Sequence, residues 1–175
     1  LERAVWAKRF ITEYMWNEQE ERFYTATQAD GITPITDAAN QAADANFLAV
    51  LTIGEEALYG NCVSWAYQNC GVSIDGFAGF DFNTDKDGVW FEGTAQASLA
   101  YLQLNQPHKH CAYLSQLRKA QTGAVNANGK AITSASRDNL TTGSGYEYFT
   151  SPHIGATGWY LLTEYEYNPY WGILI

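Results

Sequence analysis

Six stretches of helical periodicity run through the chain, and the connections between them alternate long, short, long, short, long. In antiparallel helical hairpins the odd connections all fall at one end and the even ones at the other, so this rhythm predicts three long loops crowded onto one rim. Val5, Trp6, Phe10, Ile11, Tyr14 and Met15 recur at three- and four-residue spacing and predict a first helix over residues 2–20. Further helices are expected over residues 38–53 with Asp37 as N-cap, 55–70, 93–104, 107–121 with Pro107 in the first turn, and 153–167, where Asn168-Pro169 stops the last. Gly31 and Pro34 mark the first long connection as loop, with a short strand at residues 23–27. The second spans residues 71–92 and the third, rich in Gly, Ser, Thr and Asn, residues 122–152. The apolar tail YWGILI is expected to dock.

The helices that follow long loops are built from small residues: Ala38, Ala39, Ala42, Ala43 and Ala45; Gly93, Ala95, Ala97, Ser98 and Ala100; Gly155, Ala156 and Gly158. Small side chains let helices approach closely, which predicts an inner layer. The other three carry Arg3, Lys8, Arg9, Glu55, Glu56, Arg118 and Lys119 and read as an outer layer. The expected fold is therefore mainly α, a single domain of antiparallel helical hairpins covering residues 1–175, since 175 residues suffice for one core and not for two.

Charge narrows the partners. Ten basic residues against 19 acidic give a net charge of −9, with no basic stripe among the aromatics, which argues against nucleic acid because phosphate neutralisation dominates that affinity. No apolar run is long enough to span a bilayer, and the start carries no signal-peptide pattern; Leu1 in place of Met points to a processed or truncated chain. Cys62, Cys70 and Cys111 have no metal-type spacing. Cys62 and Cys70 lie about 12 Å apart along one predicted helix, so the thiols are expected to be buried or unpaired.

Acids and rings meet in residues 79–96, GFDFNTDKDGVWFEGTAQ. Asp81, Asp85, Asp87 and Glu92 stand beside Trp90, Phe80, Phe82 and Phe91. A pyranose ring offers hydroxyls to carboxylates and C–H faces to aromatic planes, so the stretch suits a carbohydrate. It also suits a calcium ion: Asp81, Asn83, Asp85 and Asp87 alternate before Gly88, and Glu92 falls where a bidentate closing ligand would. The calcium-loop register is imperfect, because the sixth place counted from Asp81 holds Lys86 and not Gly. Both ligands stand at this point.

The run DKDGVWFEGTAQ, then SASRDNLTTG, then PHIGATGWYLLTEYEYNPYW resembles the (α/α)-toroid six-hairpin glycosidase-like superfamily, in its C-terminal half. The resemblance implies half of an (α/α)6 toroid with a cleft at the long-loop end, a carbohydrate-active function, and an inverting acid/base carboxylate pair. Three hairpins stand where a full toroid has six, so the other half is expected either before Leu1 or from another subunit in a homo-oligomer, unless the three form an open arc.

Glu92, at the start of a helix on the crowded rim, is the expected general acid; Trp90 and Phe91 would desolvate it while the helix N-terminus favours its charge. Asp138 or Asp44 is the expected second carboxylate, Asp44 because an inward-facing acid on an inner helix needs a partner. Trp90, Arg137, His153, Tyr146 and Tyr148 are the candidate sugar contacts. The ordinary alternatives are a helix-capping Glu92 or His153, a surface ion pair at Arg137 and Asp138, and Trp159 as core. The expected function is an inverting glycoside hydrolase, extracellular or at the cell surface; the alternative is a non-catalytic glycan-binding or structural, filament-forming subunit.

Overall fold

A computed structural model describes residues 2–37 and 41–175. The chain is mainly α. Helix α1 spans Glu2–Tyr14, and its exit forms a two-stranded ribbon, β1 (Trp16–Asn17) with β2 (Arg22–Phe23). The first helix is therefore shorter than its periodicity predicts: Asn17 Oδ1 accepts from the N–H groups of Gln19 and Glu20 and turns the chain, and Glu21 takes a positive φ. Helix α2 (Asp44–Ile53) ends at Gly54 with φ 68°, the left-handed cap that glycine adopts without a Cβ penalty. Its expected start at Ala38 and Ala39 lies outside the described residues.

The third expected helix is two pieces, α3 (Glu56–Tyr59) and α4 (Cys62–Cys70), divided where Gly60 lets Leu104 close against the backbone. A hairpin absent from the sequence expectation follows, β3 (Gly71–Ile74) with β4 (Phe77–Phe80). Asp75 and Gly76 both hold positive φ between them, the two-residue turn whose twist matches paired strands. Helices α5 (Phe91–Gln103), α6 (Pro107–Gly123) and α7 (Ile154–Glu164) complete the set, with short ribbons β5–β6 (Leu140–Thr141, Glu147–Tyr148) and β7–β8 (Tyr167–Asn168, Ile173–Leu174).

Helix α5 is the axis of the molecule. It packs against α6, α7 and α2, and its residues from Gly93 to Tyr101 are buried, which its small side chains permit at close helix separation. Phe47, Phe80, Leu51 and Leu99 centre the core on the α2 side; Phe77, Phe91, Leu117 and Ile132 centre it on the α7 side, and Trp159 packs on both.

The three long connections meet at one rim. Ala43 N–H donates to Phe82 C=O (2.8 Å), joining the first to the second. Phe91 N–H donates to Ser134 C=O (3.1 Å), Ser136 N–H to Val89 C=O (2.9 Å), and Thr141 N–H to Asp87 Oδ2 (2.9 Å), joining the second to the third. At the opposite end the chain is tied at Asn168 Nδ2 and Trp171 Nε1, which both donate to Leu51 C=O, at 3.0 and 2.9 Å, but Tyr170, Trp171, Ile173 and Leu174 stay largely exposed, so the apolar tail docks only in part. Cys62, Cys70 and Cys111 are free thiols, Cys111 exposed.

Candidate active site

Three helix N-termini point at the rim, and each presents one titratable side chain. Asp44 opens α2, Glu92 lies in the first turn of α5, and His153 is the N-cap of α7. The cross-linked loops beneath fix these starts, because Trp90 pairs with Ala135 and Thr133 with Pro152 on either side of the acids.

His153 Nδ1 lies 3.5 Å from Glu92 Oε2 and accepts the Ala156 N–H at 3.3 Å. Nδ1 thus faces both a backbone N–H and the Glu92 carboxyl. Burial pushes the Glu92 carboxyl above its ordinary value, and the charge of Asp44 adds to the rise. Burial raises Asp44 as well. Tyr148 is raised by burial and then by the charges of Glu92 and Asp44, and Tyr170 by burial and then by Asp44. Two acids, a histidine and two phenols from separate segments thus share one electrostatic environment.

Aromatic rings back the acids. Trp90 is 2% exposed, so it contributes a wall and not a contact face. Phe82 tilts against it at 4.9 Å, Tyr148 stacks on it at 5.7 Å and 28°, and the His153 ring meets Tyr148 edge-on at 5.9 Å. Gly155 completes the seat of the acid, for a Cβ there would overlap the Glu92 carboxylate.

The remaining expected residues lie elsewhere on the rim. Asp138 Oδ1 accepts from both the N–H and the hydroxyl of Thr150, at 2.8 Å each, and these bonds hold its pKa below the ordinary value. Arg137 forks onto Asp75, which also accepts from Ser136 Oγ, and does not face Asp138 as expected. Tyr146 is 77% exposed.

Asp81, Asp85 and Asp87 do gather, with one oxygen from each within 4.8 Å of the others, the spread that calcium ligands at 2.3–2.6 Å require. Asp81 is fully buried; burial first, then the Asp85 carboxyl, pushes its pKa up to about 8. Its oxygens accept from the N–H groups of Phe82 and Asp87, Asn83 Oδ1 accepts from Asp85 N–H, and Thr141 binds both Asp85 and Asp87. Asp87 Oδ1 is a buried oxygen with no hydrogen-bond partner, which fits a cation. Glu92 is not part of this cluster: it faces α7, so it is not the closing ligand its spacing suggested. The loop also follows a strand and not a helix, which separates it from a helix–loop–helix calcium site.

Gly155 and Tyr170 were not legible as site residues. The first read only as a small residue of an inner helix and the second only as part of an apolar tail.

Fold and site together define a mainly α protein with an acid pair at the starts of neighbouring helices. Comparison with models of protein families, with curated proteins and with solved structures finds no match. Among the described residues no helix is long and apolar enough to cross a membrane.

Proposed function

We propose that the chain is a carbohydrate-active domain, a glycoside hydrolase of the inverting kind, built as three hairpins of an (α/α)-toroid. The observation that carries this is a partly buried Glu92 seated between His153 and the bare Gly155, its pKa raised by burial and then by the charge of Asp44 in the sense a general acid needs. Glu92 protonates the glycosidic oxygen, and its proton moves to the leaving sugar hydroxyl as the C–O bond breaks. Asp44 is the second carboxylate, taking a proton from the water that attacks the opposite face of the sugar. It is preferred to Asp138, whose Oδ1 is engaged by Thr150. Tyr148 and His153 line the approach, and the aspartate loop holds a calcium ion that stiffens the wall carrying Trp90.

Reducing-end release from a panel of neutral and acidic polysaccharides tests the assignment. Activity on one of them that disappears in Glu92→Gln, with folding intact by circular dichroism, supports it. Turnover unchanged in Glu92→Gln, or glycan retention with no turnover by the wild type, overturns it.

A further inference from the structure

Away from the acids, one titratable group is buried and takes no part in the proposed chemistry. His110, on α6, is 2% exposed and meets Ser98 of α5, which is fully buried. Ser98 Oγ has one hydrogen, and His110 C=O at 2.9 Å can only accept it. His110 Nδ1 then faces two acceptors, Ser98 Oγ at 3.1 Å and Ser98 C=O at 3.3 Å, so the ring hydrogen of the neutral imidazole sits on Nδ1. That leaves a lone pair on Nε2, which lies 3.7 Å from Glu166 Oε1. Neutral ring and carboxylate therefore present lone pairs to each other. A second proton on the ring turns the same contact into a charged N–H facing a carboxylate.

The other charges around His110 are already engaged. Glu164, at the end of α7, feels the charge of the ring, but Arg118 forks onto it at 2.7 and 2.6 Å and the Tyr160 hydroxyl donates to it at 2.6 Å. On α6 the neighbouring Lys109 lies over the Tyr101 ring, 4.7 Å from its centroid, and α5 has no charged residue after Glu92. A buried imidazolium needs a partner, and Glu166 is the carboxylate that remains for it.

Glu166 stands where it can act on a whole segment. It is the corner between α7 and the β7–β8 ribbon, held in the left-handed region at φ 51°, a conformation that a residue with a side chain adopts at a cost. Its N–H donates to Thr163 C=O at 3.2 Å and its C=O accepts the Ile175 N–H at 2.9 Å, so the corner joins the end of α7 to the end of the ribbon. Beyond these bonds the ribbon is thinly held, by the Asn168 and Trp171 bonds to Leu51, with Ile173 and Leu174 exposed. It carries Tyr170, which feels the charge of Asp44, so its position bears on the acid rim.

We propose that His110 and Glu166 form a proton-operated latch: the charged imidazole holds the corner at Glu166 and locks the β7–β8 ribbon onto α5 and α6, and loss of that proton releases it. Imidazoles change charge between about pH 5 and 8, and carboxylates keep theirs down to about pH 4. The latch is therefore closed on the mildly acid side and opens as pH rises.

Amide hydrogen exchange on the full chain tests this. Protection of the ribbon amides, corrected for the intrinsic rate and referred to core amides of α5, is expected to be about 2–5-fold greater at about pH 5.5 than at about pH 8, the size of a half-exposed ion pair. Glu166→Ala is expected to keep its circular dichroism and to show the weaker protection at both values. Should it lose the ribbon altogether, Glu166→Gln keeps the length of the side chain, and its amide can donate to the neutral ring, so the fall in protection at the higher pH is expected to vanish. Nitrogen chemical shifts of the neutral ring are expected to place its hydrogen on Nδ1. A hydrogen on Nε2, a wild-type ratio that is flat with pH, or a pH dependence that survives in Glu166→Ala or Glu166→Gln overturns the proposal.

Discussion

Gly155→Ala separates stability from chemistry. A Cβ at this position would lie 2.9 Å from Glu92 Cδ and 3.0 Å from Oε1, and closer still to Oε2, so the carboxylate must retreat by about 0.5–1 Å to ordinary contact distance. The atoms that move are the far end of a flexible side chain, and the backbone of α7 is untouched. Alanine is the better helix former by roughly 0.5–1 kcal/mol. Stability is therefore expected to hold or rise, by no more than about 2–4 °C in Tm for a chain of this size. Catalysis is expected to fall about 100-fold, since a displacement of ~1 Å from the reacting bond is worth that much, about 2.7 kcal/mol of barrier. Thermal melts measure the first, and reducing-end release on any polysaccharide that is turned over as proposed measures the second. Full activity in the variant would refute the placement of Glu92 as the acid. A loss of more than about 2 kcal/mol in stability would refute the idea that only the carboxylate responds.

Gly93→Ala is expected to behave oppositely. Its Cβ would enter the ring of Trp90, which is held between Phe82 and Tyr148, so about 1–3 kcal/mol of stability and several degrees in Tm should be lost; an unchanged melt would contradict the packing. The aspartate loop predicts a pH effect. Asp81 keeps its proton in the folded state up to about pH 8, while in the unfolded chain it loses it near the usual carboxylate pKa of about 4. Between those values the folded state binds more protons at this group, so its contribution to stability is fully present below about pH 4 and is lost as pH rises through 8. In chelator, Tm should drop by on the order of 5–10 °C between pH 5 and 8, and millimolar Ca²⁺ should recover most of it at pH 8 by replacing the proton. A flat profile in chelator, or no response to Ca²⁺, rejects the site.

Helix positions and the shared rim were legible because both rest on periodicity and on the lengths of connections, which the chain states directly. The misses have local causes. Asn17 ends α1 through a side-chain bond to its own backbone, a competition that apolar spacing does not register. The β3–β4 hairpin carried a signal that was available, Asp75-Gly76 between short apolar runs. Within the site, Glu92 and Asp44 stood out as acids on small-residue helices, and His153 by its place before the last one. Arg137 finds Asp75, 62 positions away, instead of the adjacent Asp138, because a neighbour in sequence on a loop is not a neighbour in space.

The site sets two opposing influences against each other, and the outcome bears on its chemistry. Asp44 and Glu92 both lie in first turns of helices, where aligned backbone dipoles favour the charged carboxylate by about 0.3–1 kcal/mol each. Both acids are nevertheless raised, Asp44 by burial and Glu92 by burial and then the charge of Asp44. For Glu92 the rise favours the protonated form that the proposed general acid needs, while the N-terminus of α5 stabilises the carboxylate left behind once the proton has gone. Capping alone asks only for an acid that a helix N-terminus keeps charged. A raised Glu92 beside Asp44 at neighbouring helix starts, with the first-turn glycine of a third helix kept bare for it, is what the proposed proton donation calls for and what capping alone does not.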